Sequence, residues 1–170
     1  MKPISKETIE HADDFIFHLS DSQVKEFLED LKKKQPNIYY YCKLTADNTK
    51  HKERIDFINR WILVIFFCFN DYDVKLPAFS EKEIDVCNIW YVNKLNSIID
   101  QSDKKETLRK MGDFSGQSNL IGYFFDKFDN MQLTSQIFKG VECGGFVATG
   151  ILFSALYTQK IEKLLPSSSN

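Results

Sequence analysis

The sequence predicts an all-α protein: one compact bundle of about six to eight helices, with a central helix over residues 54–72 packed on a C-terminal helix over 135–165. Three observations carry this. No segment alternates apolar and polar residues as a half-buried strand does, and only seven glycines and four prolines interrupt 170 residues. Two capping boxes, Ser20 with Gln23 and Ser80 with Glu83, mark helix starts, each side chain answering a free backbone N–H at the other's residue. The most apolar run, Trp61–Phe69, is continuous with polar residues at helical spacing.

That run needs the most care, because Val, Ile and Phe in sequence suit a buried strand as well as a buried helix. Its upstream flank decides. Ile55, Ile58, Ile62, Ile65 and Phe69 hold one stripe, while Asp56 and Arg60 stand at i, i+4, where opposite charges pair. The helix enters amphipathic and becomes apolar all round, the pattern of a helix inside a bundle. Nine apolar residues are too few for a bilayer, which needs about 20.

The remaining elements follow in order. Ser5 caps a helix over 6–19 with Ile9, Phe15, Ile16 and Leu19 facing inward. The helix opened by Ser20 buries Val24, Phe27, Leu28 and Leu31 and stops at Gln35-Pro36, where proline steers its predecessor away from the α region. Pro36 then opens a short aromatic helix. Asp47-Asn48-Thr49 supplies the cap of the central helix, and Asn70–Asp73 with Leu76-Pro77 ends it. Ser80 opens a helix over 81–100 with Ile84, Cys87, Trp90/Tyr91, Leu95 and Ile98/Ile99 inward. Asp103 with Glu106 opens a weaker one closed by Gly112. LIGYFFDKF is helical with Leu120, Phe124 and Phe128 inward. Thr134 caps a last long helix that runs to Pro166. Residues 1–166 form a single domain and 167–170 a disordered tail.

Two patterns rise above this. Gln35-Pro-Asn37-Ile38-Tyr-Tyr-Tyr41 and Gln117-Ser-Asn119-Leu120-Ile-Gly-Tyr123 share Q-x-N-[I/L]-x-x-Y, and each precedes a short helix followed by a long apolar one. Duplication, with units 20–100 and 103–165 in a two-fold pseudo-repeat or a short α-solenoid, stands here beside chance resemblance. The last helix carries Gly140, Gly144 and Ala148 at i, i+4, i+8, a small-residue strip suited to close approach by the bulk of Trp61, Phe66, Phe67 and Phe69. Interior glycine costs about 1 kcal/mol, so packing has to offset it.

Chemistry is sparse. Net charge is −2 and pI about 5.9, which gives no electrostatic footprint for nucleic acid or an anionic membrane. The amino-terminal stretch has no apolar signal region, and Cys42, Cys68, Cys87 and Cys143 form no C-x-x-C pair. They read as reduced core residues of a cytoplasmic protein. His11, Asp14 and His18 share a helical face and could touch a metal, but one helix offers an incomplete shell, so an exposed polar face is the better reading. Gly140–Gly150 lacks the Gly-Lys-Ser/Thr ending of a phosphate loop, and Glu142 would repel phosphate. No catalytic residue and no cofactor is expected.

What remains is aromatic surplus: fifteen Phe, seven Tyr and two Trp. Tyr39, Tyr40 and Tyr41 cannot all face inward, because successive side chains on a helix point about 100° apart. With Trp90, Tyr91 and Tyr123 they make a candidate binding surface, since Tyr and Trp serve as interface anchors. The expected function is therefore a non-enzymatic cytoplasmic helical interaction or adaptor protein, binding a protein partner or itself. The alternative is a bundle that binds a small molecule, with or without catalysis, in an aromatic pocket near Tyr41, Trp61, Trp90 and Tyr123.

Overall fold

The computed structural model describes residues 3–47, 52–70, 77–98, 110, 113, 115–134 and 142–164. Among them are seven helices and no strand: α1 (Lys6–Phe17), α2 (Asp21–Lys34), α3 (Pro36–Asp47), α4 (Lys52–Asn70), α5 (Glu81–Ile98), α6 (Ser118–Thr134) and α7 (Glu142–Leu164). The chain is a helical bundle, as its patterning predicts. The weak helix expected over 103–112 lies outside the described residues.

The starts of the helices are set by the anticipated side chains. Ser5 accepts from the Thr8 N–H. Ser20 and Gln23 bond reciprocally, as do Ser80 and Glu83, whose carboxylate takes the Ser80 N–H at 2.8 Å. Pro36 opens α3. That helix runs 12 residues, longer than its aromatic stretch suggests. Thr134 is the last residue of α6, so it does not cap the final helix, whose described part begins at Glu142.

Helix α4 lies at the centre. Leu63, Val64, Cys68 and Phe69 are wholly buried, and α1, α2, α3 and α7 all pack on it. Its contact with α7 is the expected one: Phe69 stacks on Tyr157 with ring centroids 4.8 Å apart. The other bulky residues go elsewhere. Trp61 packs on Phe124 of α6 at 4.1 Å, and Phe67 on Phe15 and Phe27 of α1 and α2. The strip at Gly140, Gly144 and Ala148 lies outside the residues whose side chains are described. Gly150 is described, and the space beside it is taken by Phe124, whose Cε2 would sit 3.3 Å from an added Cβ.

Two polar features hold the helices in register. The Asp56–Arg60 pair forms, with Arg60 Nε donating at 2.9 Å, but Arg60 is buried and does not sit on a solvated face. Its Nη1 donates to the Ile16 and Leu19 carbonyls, both at 2.9 Å, and its Nη2 reaches Asp21. One guanidinium thus reaches the carbonyls at the end of α1, adding to the backbone N–H of Leu19 that Ile16 already accepts.

The second feature is the pair of Gln-x-Asn motifs. Gln35 Oε1 accepts the Phe79 N–H at 2.9 Å, and Asn37 Nδ2 donates to the Phe79 carbonyl at 2.9 Å. Gln117 Oε1 accepts the Ile4 N–H at 2.8 Å, and Asn119 Nδ2 donates to the Ile4 carbonyl at 3.0 Å. A backbone N–H only donates and a carbonyl only accepts, so these partners fix how each amide is turned. Each motif therefore clamps both polar groups of one buried residue, and that residue stands immediately before the N-cap serine of α1 or α5. Gly116, at φ 73°, makes the left-handed turn that delivers Gln117.

Candidate interaction surface

The aromatic residues singled out in the sequence do not gather into one site. Tyr39 and Tyr40 meet edge to face at 5.7 Å, and Tyr40 is 52% exposed, so one tyrosine of the triplet does face solvent. Tyr41 turns inward onto Phe153 of α7. Tyr91 is buried and Trp90 half-buried on α5. Burial raises the Tyr41 and Tyr91 phenols above their ordinary range, and Tyr41 stands near enough to add to the effect on Tyr91.

Tyr123 belongs to a different cluster. Its hydroxyl donates to Asp13 Oδ2 at 3.0 Å, and burial together with that carboxylate raises its phenol strongly. Lys127 also bonds Asp13, and its ammonium sits 3.9 Å from the centre of the Phe17 ring and 5.5 Å from that of Trp61. An ammonium over ring faces and beside a carboxylate is held by both charge and quadrupole. The cluster fastens α1 to α6, and Lys127 fills it. Asp13 and Lys127 drew no notice in the sequence, since an acid and a base 114 positions apart carry no local signal.

Three clefts of about 160 to 250 Å³ are lined by none of Tyr41, Trp61, Trp90 or Tyr123. The space around Trp61 is taken by Phe17, Phe57, Tyr123 and Phe124. On α1, His18 turns back on Asp14, its Nδ1 donating to the Asp14 carbonyl at 2.7 Å and lying 3.2 Å from the carboxylate. His11 instead lines a cleft with Phe15 and Phe67. Phe15 itself is 41% exposed, where the sequence suggested an inward position. Among the described residues no three His, Cys, Asp or Glu side chains stand close enough to hold a metal ion.

The feature that sequence reasoning missed is on α5. Its inner side carries Ile84, Cys87 and Tyr91, all buried, and burial pushes the Cys87 thiol up to about 11. Its outer side carries Val86, Ile89 and Val92, exposed to 59, 61 and 44%. At 100° per residue these three fall on one arc, with Lys82, Asp85, Asn93 and Asn96 around them and Trp90 at one edge. Val86 also lines the cleft that α5 makes with Leu156, Gln159 and Lys160 of α7. The signal was present as apolar residues on both faces of one helix, which alone reads as deeper burial.

Comparison of the chain with family models, curated proteins and solved structures returns no match. Function has to be argued from geometry.

Proposed function

We propose that the chain is a helical protein-interaction protein of the cytoplasm, without catalytic chemistry of its own, that takes its partner on the outer face of α5. The observation that carries this reading is the exposure of Val86, Ile89 and Val92 on a helix whose opposite face buries Ile84, Cys87 and Tyr91. Burying the exposed half of three such side chains is worth roughly 1 kcal/mol each. That makes them the anchors of an interface whose polar rim is Lys82, Asp85, Asn93 and Asn96. Trp90, half-buried at the edge, adds the aromatic area that interfaces favour. Buried thiols at Cys42 and Cys87 suit a reducing compartment. Among the described residues no helix is long and apolar enough to cross a membrane.

The test replaces Val86 by Lys and Ile89 by Glu together. Sedimentation velocity reports self-association, and hydrogen exchange reports protection of α5 amides when a partner is bound. The wild-type chain is expected to show protection over residues 85–93 on association, and the double variant to lose both protection and association while melting as before. Association that survives the double variant, or leaves those amides unprotected, defeats the proposal.

A further inference from the structure

We infer that the chain is two copies of one helical unit, bounded at residues 3–70 and 77–164 instead of 20–100 and 103–165, and that each Gln-x-Asn clamp is the interface by which one copy holds the other. The motif similarity alone does not establish this, because few matched positions are involved. The hydrogen bonds add what the motif lacks. Gln35 and Gln117 play one role: each is buried, and each offers its carbonyl to the first turn of the helix that follows, to Tyr39 and Ile121. Asn37 and Asn119 donate to the same residue whose N–H the glutamine accepts.

The gripped residues correspond as well. Ile4 and Phe79 are buried, each follows a proline within two positions, and each precedes an N-cap serine. From those serines onward α1 and α5 run in step. Ile9 and Ile84, Ala12 and Cys87, Ile16 and Tyr91 are buried pairs at equal distances from the cap. Along α3 and α6, Ile38 pairs with Leu120 and Cys42 with Phe124, again buried in both.

The decisive point is who grips whom. The clamp beginning α3 holds the lead of α5, and the clamp beginning α6 holds the lead of α1. Each clamp reaches into the other half, and the two contacts are reciprocal. Reciprocity of this kind is the property of a two-fold interface, in which the same patch serves on both sides. The packing on the long helices agrees, since α1 and α3 lie on α4, α5 and α6 lie on α7, and α4 meets α7, while α1 approaches α6 more closely than α3 approaches α5. The chain is thus a dimer of units fused through residues 71–76.

A two-fold relation makes a geometric demand. The path to Pro3 from the point of α7 equivalent to Asn70 must equal the path from Asn70 to Pro77, which six residues cover. Helix α7, at 23 residues, runs past that point where α4 has 19. Six residues reach at most about 20 Å. The test is a circular permutant in which residues 77–164 come first, then residues 71–76 as linker, then residues 3–70. A companion permutant carries a flexible Gly/Ser linker of about 20 residues in the same place. Two equivalent copies have no preferred order, so the short-linker permutant is expected to unfold cooperatively with a midpoint within about 5 °C of the parent. If only the long-linker permutant folds, with the same midpoint, the added length answers the extra residues of α7 and equivalence of the copies stands; if it folds with a midpoint more than about 5 °C lower, the inference is overturned. If neither folds, order matters, and equivalence is overturned on that ground.

Discussion

Replacing Gln117 with Leu removes the centre of one clamp while keeping its volume. Gln117 is fully buried, so no water stands ready to take its place. The Ile4 N–H, 2.8 Å from Oε1, loses its acceptor inside the protein, and an orphaned buried donor costs about 1–3 kcal/mol. Thr158, also buried, loses the donor that Nε2 supplies at 3.2 Å, though its hydroxyl is free to rotate. The leucine recovers part of this by shedding a polar amide. The balance is a loss of about 2–3 kcal/mol, which for a chain of this size lowers the melting midpoint by about 5–10 °C. The assay is urea unfolding followed by far-ultraviolet circular dichroism, with the midpoint moving and the slope unchanged.

The matching substitution, Gln35→Leu, orphans the Phe79 N–H in the same way. Its Nε2 loses less, since the bond to the Pro77 carbonyl is long at 3.4 Å and Pro77 is exposed. A loss of about 2 kcal/mol is expected, slightly below that at Gln117. If either variant unfolds within about 0.5 kcal/mol of the parent, the clamped backbone groups have other partners and the reasoning about both motifs fails.

Three further substitutions probe other parts of the frame. Arg60→Met keeps the aliphatic stem but removes the bonds to the Leu19 and Ile16 carbonyls, of which Ile16 keeps the Leu19 N–H, and should cost about 1–3 kcal/mol by urea unfolding. Gly150→Val drives a branched side chain against Phe124, which also packs on Trp61, so overpacking of about 1–3 kcal/mol is expected as a lower thermal midpoint. Glu83 gives a pH dependence. The Ser80 N–H and Lys160 lower its carboxyl from 4.5 to about 2. Its stabilising contribution is therefore complete above about pH 4.5 and is lost as pH falls toward 2. The side chain is 43% exposed, so screening limits that contribution to about 1 kcal/mol, the usual worth of a cap. Glu83→Gln should be less stable than the parent at pH 6 and equal to it near pH 2, in paired denaturation curves.

The parts of this fold that were readable in the sequence are those governed by neighbours along the chain. Ser20 with Gln23 and Ser80 with Glu83 announce their helices because a cap is a contact over three residues. The stripe from Ile55 to Phe69 announces α4 because periodicity is local too. Arg60 shows the limit. Its pairing with Asp56 was readable at i, i+4, but its burial depends on carbonyls more than forty residues away, which no pattern within a helix encodes. The α5 face failed for a related reason. Apolar residues on two sides of a helix say that two surfaces are to be covered, and the sequence does not say whether the cover comes from this chain.

The comparison of α1 with α5 bears on that last point. Counted from their N-cap serines, Val86 stands where α1 has His11, and Ile89 where α1 has Asp14. All four side chains face solvent, so the two helices differ in polarity at these two positions, while Val92 and Trp90 stand where α1 has the apolar Phe17 and Phe15. The inner positions of the two helices stay apolar in both, as their shared packing on a long helix requires. Chance drift toward apolar residues at two solvated positions is penalised, because exposed valine and isoleucine favour aggregation and contribute nothing to the fold. Two solvated positions that are polar on α1 and apolar on α5 therefore fit the partner face proposed above. Under the proposed duplication, positions 86 and 89 of α5 are where the second unit departs from the first.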